Sequence, residues 1–92
     1  MSHVIQEKSK LLSRVRRIRG QVDAVERALE AEKECAEVLQ QIAAIKGAIN
    51  GLMSEVLEEH IRNHIASPSI TNDIERMQGA SELIGVLRTY LK

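Results

Sequence analysis

Seven residues do most to constrain this chain. Cys35, Val38, Ile42, Ile45, Ile49, Leu52 and Val56 recur with spacing 3-4-3-4-3-4, the period of an α-helical seam. His60 and His64 extend its far end, and Pro68 stops it, because the residue before a proline is pushed out of the α region. The predicted helix covers about residues 34–66, roughly 48 Å at 1.5 Å per residue. A compact fold of 92 residues has a radius of gyration of only about 12 Å. So short a chain cannot cover so long a helix, and the sequence predicts an oligomer.

A second seam precedes the first. Leu11, Val15, Ile18, Val22, Val25 and Leu29 repeat with spacing 4-3-4-3-4 and predict a helix over about 4–31. Gly20 interrupts it at a cost of about 1 kcal/mol against Ala, which the close approach of another helix or of DNA would explain. The break between these helices is the least marked, since LEAEKECAEV contains neither Gly nor Pro. Residues 67–72 read as a loop, and Asn72 followed by Glu75 resembles a capping box. Met77, Ala80, Ile84, Leu87 and Leu91 then mark a third helix over about 73–91. The expected fold is all-α, a three-helix protomer forming one domain over 1–92. With no Phe or Trp and one Tyr, its core must be aliphatic.

No apolar run approaches a membrane span. The polar opening MSHVIQEKSK is not a secretory signal. A lone Cys offers no intrachain disulfide and fits a reducing cytoplasm. These features predict a cytoplasmic protein. The scarcity of aromatic residues and the lack of a substrate-domain signature argue against an enzyme.

His3, Cys35, His60 and His64 are the whole complement of His and Cys. Singly, each has a plain explanation: a small buried hydrophobe for Cys35, a helix-dipole partner for the His pair, a frayed terminus for His3. Together they read as ligands. His60 and His64, four apart, stack two imidazoles on one helix face, as chelation requires. Cys35 lies 25 residues upstream, about 37 Å along the same helix, so this helix alone cannot bring the three together. Two antiparallel copies would, placing Cys35 of one against His60 of the other. Their crossing would fall at Gly47 and Ala48, flanked by Ala43, Ala44 and Gly51. The spacing thus predicts a dimer whose chains share a site.

A net charge of zero hides an asymmetry. KSKLLSRVRRIR, residues 8–19, carries six basic side chains and no acid. Residues 23–37 carry Asp23, Glu26, Glu30, Glu32, Glu34 and Glu37 against Arg27 and Lys33. A solvated helix usually interleaves Glu with Lys at i,i+4, and the basic block does not. It reads as a polyanion footprint. Lys10, Arg14 and Arg17 form one helical stripe continued by Gln21; Arg16 and Arg19 belong to the same block, and Lys46 lies near the expected crossing.

RVRRIRGQV, ECAEVLQQIAAIKGAINGLMSEVLEEH and the closing LRTYLK resemble the CsoR/RcnR family of bacterial metal- and aldehyde-responsive repressors, over essentially the whole chain. The resemblance implies an antiparallel helical dimer, a dimer of dimers, and a ligand-free form that binds double-stranded operator DNA and is released by its effector. It also sorts the ligands. Copper sensors of the family use Cys, His and a second Cys, where this chain has Cys35, His60 and His64. The missing thiolate argues against Cu(I). The nickel/cobalt branch uses His, Cys, His and His, matched by His3, Cys35, His60 and His64, and opens with Met-Ser-His as this chain does. Removal of Met1 would leave the Ser2 amine beside His3 to complete a chelate. More than four mixed ligands suit Ni(II) or Co(II); four suit Zn(II) equally. The chain departs from that branch at Asn63, where a carboxylate often precedes the last His. The alternative is the formaldehyde branch, which RVRRIRGQVDAVERALE resembles more closely; there Cys35 would be the nucleophile and the N-terminal amine would close a methylene bridge. Ser2 and His64 depart from that branch and favour metal. A helical bundle with a purely structural role would show neither DNA binding nor ligand response.

Overall fold

A computed structural model describes residues 7–90. These form three α-helices, α1 over Lys8–Glu30, α2 over Cys35–His64 and α3 over Asp73–Tyr90, and no strand among the described residues. None of these helices is long and apolar enough to cross a membrane. The expected helical residues 4–6 and 91 lie outside the described residues. The packing divides into two compact units, Glu7–Met53 and a second beginning at Ser54.

In the first unit α1 and the start of α2 form a hairpin, closed by a turn that the sequence marks poorly. Glu32 adopts φ 54. Its N–H reaches Leu29 O at 3.1 Å, and Lys33 N–H reaches Ala28 O at 2.9 Å. This is a Schellman closure, built on a residue that carries a Cβ where glycine is usual. Glu34 then opens α2, its carbonyl accepting from Glu37 N–H at 3.0 Å and Val38 N–H at 3.2 Å. Holding a non-glycine residue in the left-handed region costs roughly 1–2 kcal/mol. Glycine gives back part of that gain through its freer unfolded chain. Glu32→Gly is therefore expected to raise stability by about 1 kcal/mol, read as a higher midpoint in thermal denaturation. An unchanged or lower midpoint would contradict the left-handed turn.

Both expected seams split in two. Leu11, Ile18 and Val25 of α1 and Val38, Ile45 and Leu52 of α2 are buried or half-buried, together with Ala28, Gln21, Gln41 and Ala48. Their alternate partners turn outward: Val15, Val22 and Leu29 on α1, Cys35, Ile42 and Ile49 on α2. Val22 and Ile42 are each 49% exposed. One heptad position of each seam serves the hairpin, and Val15, Val22, Leu29, Cys35, Ile42 and Ile49 at the other are exposed.

The second unit is the end of α2, a loop, and α3. α2 ends two residues before the expected 66, because Ala66 N–H reaches back five residues to Ile61 O at 2.8 Å and closes the last turn. The Arg76 guanidinium fastens the loop, donating Nη1 to Ile65 O and Nη2 to Ile70 O at 2.8 Å. Ile70 is buried. Asn72 caps α3, its Oδ1 accepting from Ile74 N–H at 2.8 Å, one residue short of the Glu75 N–H that a capping box would use. The inward face of α3 differs from expectation. Arg76, Gly79, Ala80, Leu83 and Leu87 are buried or half-buried, whereas Met77 and Ile84 are exposed, Met77 by 70%. Gly79 causes this. A Cβ there would lie 2.4 Å from the His64 carbonyl oxygen, so α3 approaches α2 through its smallest residue.

Candidate metal centre and nucleic-acid interface

His60 and His64 emerge from the last turns of α2 with ring centroids 4.7 Å apart and planes inclined by 31°. The i,i+4 spacing places them side by side, and α3 supplies a third group. One ligand atom from each of His60, His64 and Glu82 lies within 4.8 Å of the other two. His60 Nε2 sits 2.8 Å from Gly79 O and 3.9 Å from Glu82 Oε1. A carbonyl oxygen only accepts, so Nε2 carries the proton in this contact and donates it. In the neutral ring the lone pair is then on Nδ1. The backbone of α3 thus fixes the orientation of His60, as outer partners commonly do for metal-ligating histidines. Both rings are half-buried and Glu82 is exposed, which leaves the cluster open to an entering ion.

Two imidazoles and a carboxylate form a nitrogen- and oxygen-rich donor set. It suits borderline divalent ions and lacks the thiolates that Cu(I) prefers. Glu82 is not among the expected ligands, which come only from His and Cys. The signal that finds it is the hairpin register, with His60 opposite Gly79. Cys35 does not join this cluster within the chain: it is exposed at the first residue of α2. Ser2 and His3 lie outside the described residues.

The basic residues fall on different faces. Lys10, Ser13, Arg14, Arg17, Ile18 and Gln21 of α1 line a groove with Ala44 and Ala48 of α2, a space of ≈ 600 Å³. The expected stripe of Lys10, Arg14, Arg17 and Gln21 is therefore one wall of a single groove. Arg16, Arg19 and Lys46 are exposed but do not line it. By helical spacing Arg19 shares the side of Val15 and Val22, and Lys46 that of Ile42 and Ile49. The small residues expected at a crossing also separate. Ala48 faces the groove, Gly51 meets the guanidinium of Arg14, and Gly47 has nothing among the described residues within 4 Å of an added Cβ. The α1–α2 hairpin is two-sided, with a cationic groove on one side and an apolar row on the other.

Residues 7–89 match the family described as "Metal-sensitive transcriptional repressor". The chain belongs to this family. Its members are repressors rather than enzymes, and membership implies DNA binding. An uncharacterised protein encoded in the bioA 5′ region of Serratia marcescens is 54% identical over the full length of both chains. The transcriptional repressor RcnR of Citrobacter koseri is 46% identical, again over the full length of both. Among solved structures, a glutamate-to-histidine variant of the formaldehyde-responsive regulator FrmR from Salmonella enterica serovar Typhimurium is 49% identical. It superposes with a TM-score of 0.85 over 97% of this chain and 99% of its own. The copper-sensing repressor CsoR with Cu(I) from Geobacillus thermodenitrificans is 27% identical, with a TM-score of 0.86 over 100% of this chain and 94% of its own. These relatives establish the metal-sensitive repressor family, and their own effectors differ.

Proposed function

We propose that this repressor is a cytoplasmic Ni(II)/Co(II) sensor that binds its operator metal-free as a dimer of dimers and is released when metal binds. One observation carries the reading: His60 and His64 stand paired beside Glu82 at one end of the helix whose exposed apolar row begins at Cys35. Cys35, Leu39, Ile42, Lys46, Ile49, Met53, Val56, His60 and His64 share one face of α2 by helical spacing. Leu39, Ile42 and Ile49 on that face are exposed in the single chain. An antiparallel copy of α2 laid along this row would cover it. Residues whose numbers sum to about 95 would then meet, so Cys35 of one protomer would face His60 of the other, and Lys46 would face Ile49. The completed ligand set is Cys35 from one chain with His60 and His64 from the other, joined by His3 and the Ser2 amine. Zn(II) would fit fewer of these ligands, and Cu(I) would miss a second thiolate.

Formaldehyde is the second reading. The exposure of Cys35 and the 49% identity to a formaldehyde-responsive regulator favour it. His64 favours metal, because a methylene bridge between Cys35 and the terminal amine makes no use of an imidazole stacked beside His60.

Titration of the reduced, full-length protein with Co(II) tests the choice. One ion per protomer is expected, with a near-ultraviolet thiolate band and release of the Cys35 proton. Cys35→Ala should abolish the band, and His64→Ala should weaken binding by more than the roughly tenfold to hundredfold that loss of a mere outer-shell partner costs. Unchanged spectrum and stoichiometry in Cys35→Ala would exclude the shared site.

A further inference from the structure

Arg14 leaves α1 and crosses to α2, where no side chain stands in its way. A Cβ built on Gly51 would lie 3.0 Å from Arg14 Nη1 and 4.0 Å from Cζ. Beyond the adjoining residues and backbone of α2 itself, no other group among the described residues comes within 4 Å of that position. Among the described residues nothing lies within 4 Å of a Cβ added at Gly20, Gly47 or Gly85, so glycine alone does not explain this contact. Arg14 also lines the cationic groove, with Lys10 and Arg17 one turn to either side. Gly51 lies three residues beyond Ala48, on the same side of α2 as the floor of that groove.

We infer that Gly51 is a positioning residue for DNA binding: by lacking a side chain it seats the Arg14 guanidinium in the α1–α2 groove, where it joins Lys10 and Arg17 in holding a DNA phosphate. The inference rests on the DNA-binding role proposed above. Its physical content is a competition for one volume. The guanidinium is a flat fork of donors suited to a phosphate only when held in place, and arginine loses much rotamer freedom in being held. A glycine in mid-helix costs about 1 kcal/mol of helix stability against alanine. Its use here is the space it leaves. An added methyl would meet the far end of a flexible side chain rather than backbone, so the fold survives while the guanidinium must give way by a few tenths of an ångström from its seat.

Gly51→Ala should therefore fold at least as well as the parent and bind DNA less well. The experiment is a double-mutant cycle on the metal-free, reduced, full-length protein, using Gly51→Ala, Arg14→Ala and the pair. The probe is a fluorescein-labelled random-sequence duplex of about 30 base pairs, because phosphate contacts do not depend on sequence. Arg14→Ala and Gly51→Ala are each expected to weaken binding about tenfold and to flatten the log–log salt dependence by roughly 0.9 for each phosphate no longer neutralised. In the Arg14→Ala background Gly51→Ala should have no further effect. Thermal melts should show Gly51→Ala as stable as the parent or more so.

Three results would overturn the inference. The first is a Gly51→Ala protein with parental affinity and salt slope while Arg14→Ala lowers both. The second is a Gly51→Ala protein weakened equally with and without Arg14, which places the effect elsewhere. The third is an Arg14→Ala protein that binds as the parent does. Failure of the parent protein itself to bind the duplex even at low salt is a separate result, since it refutes the DNA-binding reading from which the inference starts.

Discussion

Gly79→Ala is expected to loosen the second unit and the candidate metal centre together. The new Cβ would sit 2.4 Å from the His64 carbonyl oxygen and 3.2 Å from Ile65 Cγ1. The first is backbone, held near the end of α2 where Arg76 also grips Ile65 O. A backbone carbonyl cannot swing aside as a side chain can, so α3 must move away. Overpacking of this kind costs about 1–3 kcal/mol, and displacement of α3 also strains or breaks the bond from His60 Nε2 to Gly79 O, worth about 1 kcal/mol. Better helix propensity returns about 1 kcal/mol. The expected net loss is about 2 kcal/mol, seen as a lower midpoint in thermal or urea denaturation.

A second readout separates packing from positioning. Long-range ¹H–¹⁵N spectra of the parent should show His60 protonated at Nε2, and the variant should lose that preference. Co(II) affinity should fall about tenfold or more as the ring loses its orienting partner. A variant as stable as the parent, with the His60 tautomer unchanged, would contradict the close approach of α3 to α2.

The reach of the sequence depends on what kind of physics sets each feature. Helix existence follows from period alone, and α2 and the start of α3 fall close to where apolar spacing, Pro68 and Asn72 place them. The division of labour within each seam does not. Val15 and Ile18, or Ile42 and Ile45, are equally apolar, and only the pairing of two helices decides which of them turns inward. The α1–α2 turn is hard to see because Glu32 occupies a left-handed position without the glycine that usually announces one. Met77 and Ile84 depart from expectation for a related reason. Apolar periodicity assumes that large residues make the contact, whereas α3 meets α2 through Gly79.

The candidate centre is half legible. His60 and His64 need only helical geometry, while Glu82 needs the register of α3 against α2, which no local pattern carries. The basic block behaves similarly. Lys10, Arg14 and Arg17 follow a helical stripe and share a groove, but only proximity, in sequence or to the expected crossing, links Arg16, Arg19 and Lys46 to them. Gly51 fits the expected crossing by composition, yet its empty side is filled by Arg14.

The largest effect expected of this protein is on operator affinity. If the groove residues contact phosphates as proposed, binding is steeply salt-dependent, so ionic strength must be held fixed in any comparison. If metal at His60, His64 and the partner's thiolate favours a helix arrangement in which the basic grooves no longer match the DNA, occupancy and DNA binding must oppose each other reciprocally. A hundredfold loss of operator affinity corresponds to a coupling of about 2.7 kcal/mol, within the ordinary range for allosteric proteins. The same coupling requires that saturating operator weaken metal binding by the same factor. The direct measurement is fluorescence anisotropy of a labelled duplex from the cognate upstream region, titrated with full-length, reduced protein at fixed salt. Separate titrations would contain no effector, Ni(II), Co(II), Zn(II), Cu(I) or formaldehyde. Tight binding without effector and roughly hundredfold weaker binding with Ni(II) or Co(II) is the expected result; release by formaldehyde with no response to any metal would contradict it.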